Sequence, residues 1–226
     1  MNKSSFSSLI FSKSSLPEQV ATLIEAIETD IIRSRILPQT RLIEDHLMED
    51  YSAKRHVVRA ALVELQRLGV VVKPPHLGAE LRRFNQQGLT DLYHMRSVLH
   101  HAAIDMIALP VAEDRLTQVV AAMAAHAAAA ASADLIAIHR TNMVFHRVLY
   151  GLCDNPYLAE SIRLHDWLSF PVRAYGVADA EALHQACREH AEMVDALRHN
   201  DRKLLDALSL AHMDRARAIY VDKFVK

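Results

Sequence analysis

Glycine, proline and cysteine are all scarce: 226 residues contain 5 glycines, 7 prolines and 2 cysteines. So few turn formers, beside many Ala and Leu, argue against a sheet-rich fold and for a helical one. The cysteines, Cys153 and Cys187, are far apart and lack CxxC spacing. That argues against a disulfide framework and fits a reduced, cytoplasmic protein. No run of 18 apolar residues occurs, so no membrane-spanning segment is expected. The first fifteen residues hold seven serines and two lysines but no sustained apolar stretch ending at a small-residue cleavage site. A disordered serine-rich arm over 1–15 is expected there rather than a secretory signal. Charge of either sign is also not in excess, the formal net being −1. A broad basic surface is excluded, and any nucleic-acid contact must be local.

A local basic cluster is present. Residues 1–84 hold 12 Lys and Arg against 10 Asp and Glu, and the remainder 14 against 17. Across 53–68, Lys54, Arg55, Arg59 and Arg67 face only Glu64. This cluster sits in a helical pattern. Val20, Leu23, Ile24, Ile27 and Ile31 recur at helical spacing after Pro17, and Pro38 closes that segment. A second helix is expected near Ile43–Tyr51, with Ile43, Leu47 and Tyr51 on one side. After a turn at Ser52-Ala53, a third runs over about Lys54–Leu68, burying Val58, Ala61, Leu62, Leu65 and Leu68, with Gly69 as its C-cap. VVVKPPHLGAELRRF then reads as two short strands around Pro-Pro and Gly. Three helices and a hairpin make a winged helix-turn-helix over 16–84.

From 85 to 226 the pattern is helical throughout. Helices are expected over Leu89–Ala108, Ala112–Ala131, Asp134–Cys153, Pro156–Ala174, Ala180–Arg198 and Asp201–Phe224, with Pro171 kinking or splitting the fourth. Joined by short loops, they make an antiparallel bundle. The fold class is therefore mainly α, a winged helix-turn-helix followed by an all-helical bundle.

The third helix has the form needed to enter a DNA major groove: cationic side chains in its first turns and an apolar back. Arg55 could fork onto guanine, and Arg59, one turn later, could take a base edge or a phosphate. Lys54 and His56 share that end. Arg41 precedes the second helix and could touch the DNA backbone, while Lys73 and His76 lie in the wing. An isolated basic helix reads better as a solvated face; the flanking turn and hairpin favour DNA here.

In the bundle, Asn142 and His146 are four apart and share a helix face, and His190 and His212 fall on two later helices. Converging, they could hold a divalent metal. Spacing alone also allows separate structural histidines, since the chain has 14 of them.

LPQTRLIEDHLMEDYSAKRHVVRAALVELQRLGVV resembles the DNA-binding domain of the GntR family of bacterial transcription regulators. Pro38, Arg41, Leu42, Glu44, Leu47, Arg55, Val58, Arg59, Ala61, Leu62, Leu65 and Gly69 match the family pattern. The resemblance implies DNA contact by Arg55 and Arg59. Gln39, Lys54, His56-Val57 and Ala60 depart from the pattern, so base preference does not transfer. NMVFHRVLYGLCDNPYL, REHAEMVDALRHND and LAHMDRA are similar to segments of the FCD class of effector domain within that family. That similarity implies a metal, commonly zinc or nickel, held by Asn142, His146, His190 and His212 beside a small organic acid. Asn142 stands where the class has an acid, and a neutral amide is the weaker ligand. Arg96 matches an arginine of the class and could clamp a carboxylate by a bidentate pair; a salt bridge with an acid on a neighbouring helix accounts for it as well. His100 replaces a glutamate in the same segment. His139 and His165 read as ordinary, partly buried histidines.

The expected function is a homodimeric, ligand-responsive transcription regulator. It would repress from an inverted-repeat operator and be released by a small carboxylate effector. Two alternatives stand beside it. One is a regulator whose bundle only dimerises. The other is a metal-dependent hydrolase, which would use open metal positions to activate water but has no clear general base.

Overall fold

The computed structural model describes residues 16–76 and 78–225. The serine-rich arm expected over 1–15 lies outside them. The described residues divide into two compact units, one ending at Arg83 and one beginning at Phe84.

In the first unit, α1 spans Glu18–Ile32, α2 Glu44–Asp50 and α3 Arg55–Arg67. Strands β1, Val71–Val72, and β2, Glu80–Leu81, pair antiparallel with Val71 opposite Leu81. The apolar stripe of α1 (Val20, Leu23, Ile24, Ile27, Ile31) is buried, as are Val58, Ala61, Leu62 and Leu65 of α3. Gly69, at φ +75°, ends α3. Its N–H bonds to Gln66 O, and that of Val70 to Leu65 O, so two of the last turn's free carbonyls are satisfied. One expectation needs correction. Ile43 is 45% exposed, so only Leu47 of the expected α2 stripe is fully inside, with Tyr51 half-buried and donating to Asp30 at 2.7 Å. Arg41 precedes α2, and its backbone also bridges to Glu80 of β2.

The left-handed backbone at Gln39, φ +67°, falls where the family pattern has glycine. The conformation is held from two sides: the Gln39 N–H donates to Leu81 O at 2.9 Å, and Arg83 donates to its Oε1 at 2.9 Å.

The second unit contains α4 Gln86–Met106, α5 Glu113–Ser132, α6 Leu135–Gly151, α7 Pro156–Leu168, α8 Phe170–Arg173, α9 Ala180–Arg198 and α10 Arg202–Phe224. Most starts are capped by the polar residues that break the helical pattern. Asn85, Asp134, Asn155, Asp179 and Asp201 each accept a backbone N–H of the helix that follows. Pro171 does split the fourth expected helix, with Ser169 between α7 and α8. The alanine-rich α5 packs closely on α6 and α9, and α10 packs on α9 and α4. Their shared core includes Ile104, Phe145, Leu149, Met193 and Val194. No helix among the described residues is long and apolar enough to cross a membrane.

Asp134 caps α6 by accepting the N–H of Ile136 at 3.0 Å and that of Ala137 at 3.3 Å. Asp134→Ala is expected to lower the unfolding free energy by ~1 kcal/mol, and Asp134→Asn by much less. Chemical denaturation checks this, and equal losses for the two variants would contradict the capping role.

Candidate functional site

The exposed side of α3 carries Lys54, Arg55, His56 and Arg59, while Val57 and Val58 between them point inward. Arg55 donates to Asp45 Oδ1 at 2.7 Å and lies 3.5 Å from Glu44 Oε2; Arg59 Nε donates to the same Glu44 oxygen at 2.8 Å. All four side chains are solvent-accessible, and exposed pairs of this kind contribute ~1 kcal/mol or less. The acids of α2 therefore aim both guanidiniums without committing them, and a phosphate or guanine can replace a carboxylate. No side chain caps the N-terminus of α3, whose first amides remain donors for an anion. Arg41, Lys73 and His76 are exposed around the wing of the same unit.

In the helical unit, His146 of α6, His190 of α9 and His212 of α10 bring one donor nitrogen each within 4.8 Å of the others. The His212 tautomer follows from its neighbour. Glu189 Oε2 lies 2.8 Å from Nδ1, and a carboxylate only accepts, so Nδ1 carries the proton and Nε2 a lone pair. That Nε2 is 3.1 Å from His146 Nε2. Two imidazole nitrogens on one ion at ~2.0–2.1 Å sit ~3.0–3.4 Å apart, so the spacing fits a shared cation. The partners of the remaining nitrogens point the same way: His146 Nδ1 and both nitrogens of His190 are buried without a hydrogen-bond partner. Burial alone would raise the Glu189 carboxyl, but hydrogen bonds from His212, Arg215 and Gln185 hold it at about 2. Burial pushes the imidazoles of His146, His190 and His212 below their ordinary value, leaving them in the neutral form a metal needs.

Beside this cluster lies a cavity of about 100 Å³. Asn142, His146 and His212 face it, with Arg96, Arg173 and Arg215; His190 lies behind the wall, fully buried. Arg96 is itself buried and donates to Asp166 Oδ1 at 3.0 Å and Ser169 Oγ at 2.6 Å. Thus the neighbouring-helix salt bridge is present, and a second guanidinium, Arg173, reaches the same Ser169 hydroxyl at 3.3 Å. His100 lines the cavity and contacts the Tyr150 hydroxyl at 2.8 Å, which also meets Ser209 at 2.7 Å. His139 is buried against Phe170 and lines the cavity too, whereas His165 Nδ1 bonds Ser161 O. Arg173, Arg215 and His126 escape sequence reading. Charged or polar side chains on half-apolar helices look solvated until the neighbouring helices are in place.

The family profile described as bacterial regulatory proteins, gntR family, matches residues 19–79, and the FCD domain profile matches residues 91–215. The chain belongs to the GntR family. Its helical unit is an FCD domain, and proteins built this way are DNA-binding transcription regulators rather than enzymes. Two solved structures similar to it are E. coli McbR/YncC and a putative transcriptional regulator GntR from Rhodococcus sp. RHA1. The first is 17% identical with TM-score 0.75, the second 20% identical with TM-score 0.72; each alignment covers 92% of this chain and 100% of the other. Lar of Listeria monocytogenes is similar at 16% identity and TM-score 0.60, over 93% and 100% of the two chains. At these identities the likeness establishes the fold. No curated protein matches the chain.

The buried imidazoles of this GntR-family chain have a consequence for stability. Burial lowers His100, His126, His146, His190 and His212 from 6.5, His126 to about 4. Below pH 6.5 the unfolded chain binds protons that the folded chain refuses. Stability is therefore intact above 6.5 and falls as pH falls toward the folded values, by up to ~1.4 kcal/mol per pH unit for each group. Glu189 adds nothing in this window, since it loses its advantage only below its ordinary 4.5. The melting temperature of chelator-treated protein is expected to drop between pH 7.5 and 5.5; an unchanged or higher value at pH 5.5 would contradict the burial of neutral imidazoles.

Proposed function

We propose that this GntR-family regulator is a cytoplasmic homodimeric repressor that binds an inverted-repeat operator and is released by a small organic acid in its FCD domain. The observation that carries the effector half is the lining of the cavity. Among the described residues, three arginines face it and no Asp or Glu does. The acids nearby are already engaged: Asp166 accepts from Arg96, and Glu189 from Arg215 and His212. Such a wall favours an anion, and the volume favours a small one. Arg96 and Arg173 are placed to receive one carboxylate.

His146, His190 and His212 would hold a divalent metal, zinc or nickel, with Asn142 contributing at most a neutral oxygen. When bound, the ion supplies a Lewis-acidic anchor for the effector carboxylate. Glu189 keeps the His212 lone pair pointed at that position. The acid's absence at residue 142 leaves the site one negative charge poorer, which favours an anionic ligand on the remaining position. Coupling is reciprocal: an acid that weakens operator binding must bind the DNA complex more weakly than the free protein.

On the DNA side, Arg55 and Arg59 read the major groove while Arg41, Lys54, His56, Lys73 and His76 contribute backbone and wing contacts. Fluorescence anisotropy with DNA from upstream of the protein's own gene, against scrambled DNA at two salt concentrations, tests this. Arg55→Ala and Arg59→Ala are each expected to weaken specific binding by ~10- to 100-fold, and salt to weaken all binding. Retention of specific affinity by both variants would contradict the recognition roles. A panel of small mono- and dicarboxylates in the same assay should contain at least one that lowers operator affinity; a panel without effect, in protein that still binds zinc, favours a bundle that only dimerises.

A further inference from the structure

The alanine-rich α5 presents a single imidazole to the interior. His126, 2% exposed, lines the cavity, and its Nε2 is buried without a hydrogen-bond partner. Its protonation pattern can be deduced. Nδ1 lies 3.2 Å from Thr141 Oγ1. The Thr141 hydroxyl has one proton, and it is directed at the carbonyls of Ala137, 2.7 Å away, and Ile138, 3.1 Å away. An imidazole proton on Nδ1 is the arrangement in which Thr141 keeps donating to those carbonyls while accepting from His126, and it leaves a bare lone pair on Nε2. An unsatisfied acceptor of this kind is costly in an interior.

The neighbouring ring is His190, whose two nitrogens are also unpartnered. The ring centroids are 4.9 Å apart with the planes at 53°. An N–H···N bond between two imidazoles places their centroids ~5 Å apart, so the two rings stand at a separation that suits such a bond. His190 is further confined by Phe145, stacked on it at 3.9 Å, and His146 and His212 stand 5.2 and 4.8 Å away on other sides. His212 has its proton fixed by Glu189, but among the described residues no carboxylate or carbonyl performs that task for His190.

We propose that His126 is the positioning residue of the metal site: its Nε2 accepts the N–H of His190, forcing the other His190 nitrogen to present its lone pair toward His146 and His212. The inference rests on the metal-binding reading above. It gives α5 a part in the site that no motif marks, through a chain running from Thr141 and His126 to His190. In this chain a proton on His126 Nδ1 leaves Nε2 to accept, and a His190 proton given to that Nε2 leaves the other His190 nitrogen bare.

The test uses full-length protein and Zn²⁺ alone, titrated in competition with a chromophoric chelator. His126→Phe fills the space without an acceptor, His126→Gln keeps an acceptor oxygen, and His146→Ala removes a ligand. Long-range ¹H–¹⁵N spectra of His190 report its tautomer in each. Expected are a 10- to 100-fold loss of zinc affinity for His126→Phe, with His190 no longer in one tautomer, and recovery to within a few fold for His126→Gln. Zinc affinity unchanged in His126→Phe while His146→Ala loses it would overturn the role of His126. So would a single, unaltered His190 tautomer in His126→Phe, whatever its affinity. Undiminished zinc binding by His146→Ala would instead overturn the metal site itself. If His126→Phe fails to fold, failure of His126→Gln to hold His190 in one tautomer overturns the proposal.

Discussion

Inside the helical unit, imidazoles from separate helices are buried close enough to touch while lacking hydrogen-bond partners for several of their nitrogens. That combination governs the rest of the bundle. A buried imidazole is tolerable when neutral and paired. Glu189 satisfies His212, and Tyr150 meets His100. One ring nitrogen each of His146, His190 and His212 lies within 4.8 Å of the others, the nitrogens of His146 and His212 3.1 Å apart. Without a shared cation or proton they repel, and the tight alanine packing of α5 against α6 and α9 leaves little room to separate them. The site is thus a place where the fold accepts a local cost for a binding capacity, as functional centres commonly do.

The winged unit uses the opposite arrangement. Its functional side chains are exposed, charged and cheaply paired. Glu44 and Asp45 on α2 hold Arg55 and Arg59 at the surface through contacts that water and salt already weaken. On the proposed reading, recognition of DNA replaces one set of anionic partners with another, and the near-neutral charge of the whole chain is no obstacle. The hydrophobic back of α3 does the positioning, since Val57, Val58, Ala61 and Leu65 fix its rotation relative to α1.

What could be read from sequence follows these physical differences. Period and punctuation reveal the helices because Asp134 and Asp201, where expected helices begin, and Asn85 and Asn155, just ahead of others, are working caps. Pro171 reads correctly as a break because proline acts on its own backbone. Ile43 misleads, since an apolar residue at the right spacing can still sit outside when the helix is a short one on an edge. Asn142, His146, His190 and His212 carry a family pattern and are legible through it. Arg173, Arg215 and His126 are not, because their roles arise only where helices distant in sequence meet. His126 did leave one signal, an imidazole alone in an alanine tract, where the small neighbours let a partner helix approach closely. For Arg96 the salt bridge to an acid on a neighbouring helix was legible, but not the Ser169 hydroxyl that it shares with Arg173.

The claim on which the account rests is that three histidines share one ion. X-ray absorption at the zinc edge, on full-length protein loaded with one equivalent of zinc, tests it most directly. The account expects a first shell of nitrogen and oxygen only, at ~2.0–2.2 Å, with outer-shell scattering from three imidazoles. A shell containing sulfur, or one with a single imidazole or none, would mean that zinc binds elsewhere and would contradict it.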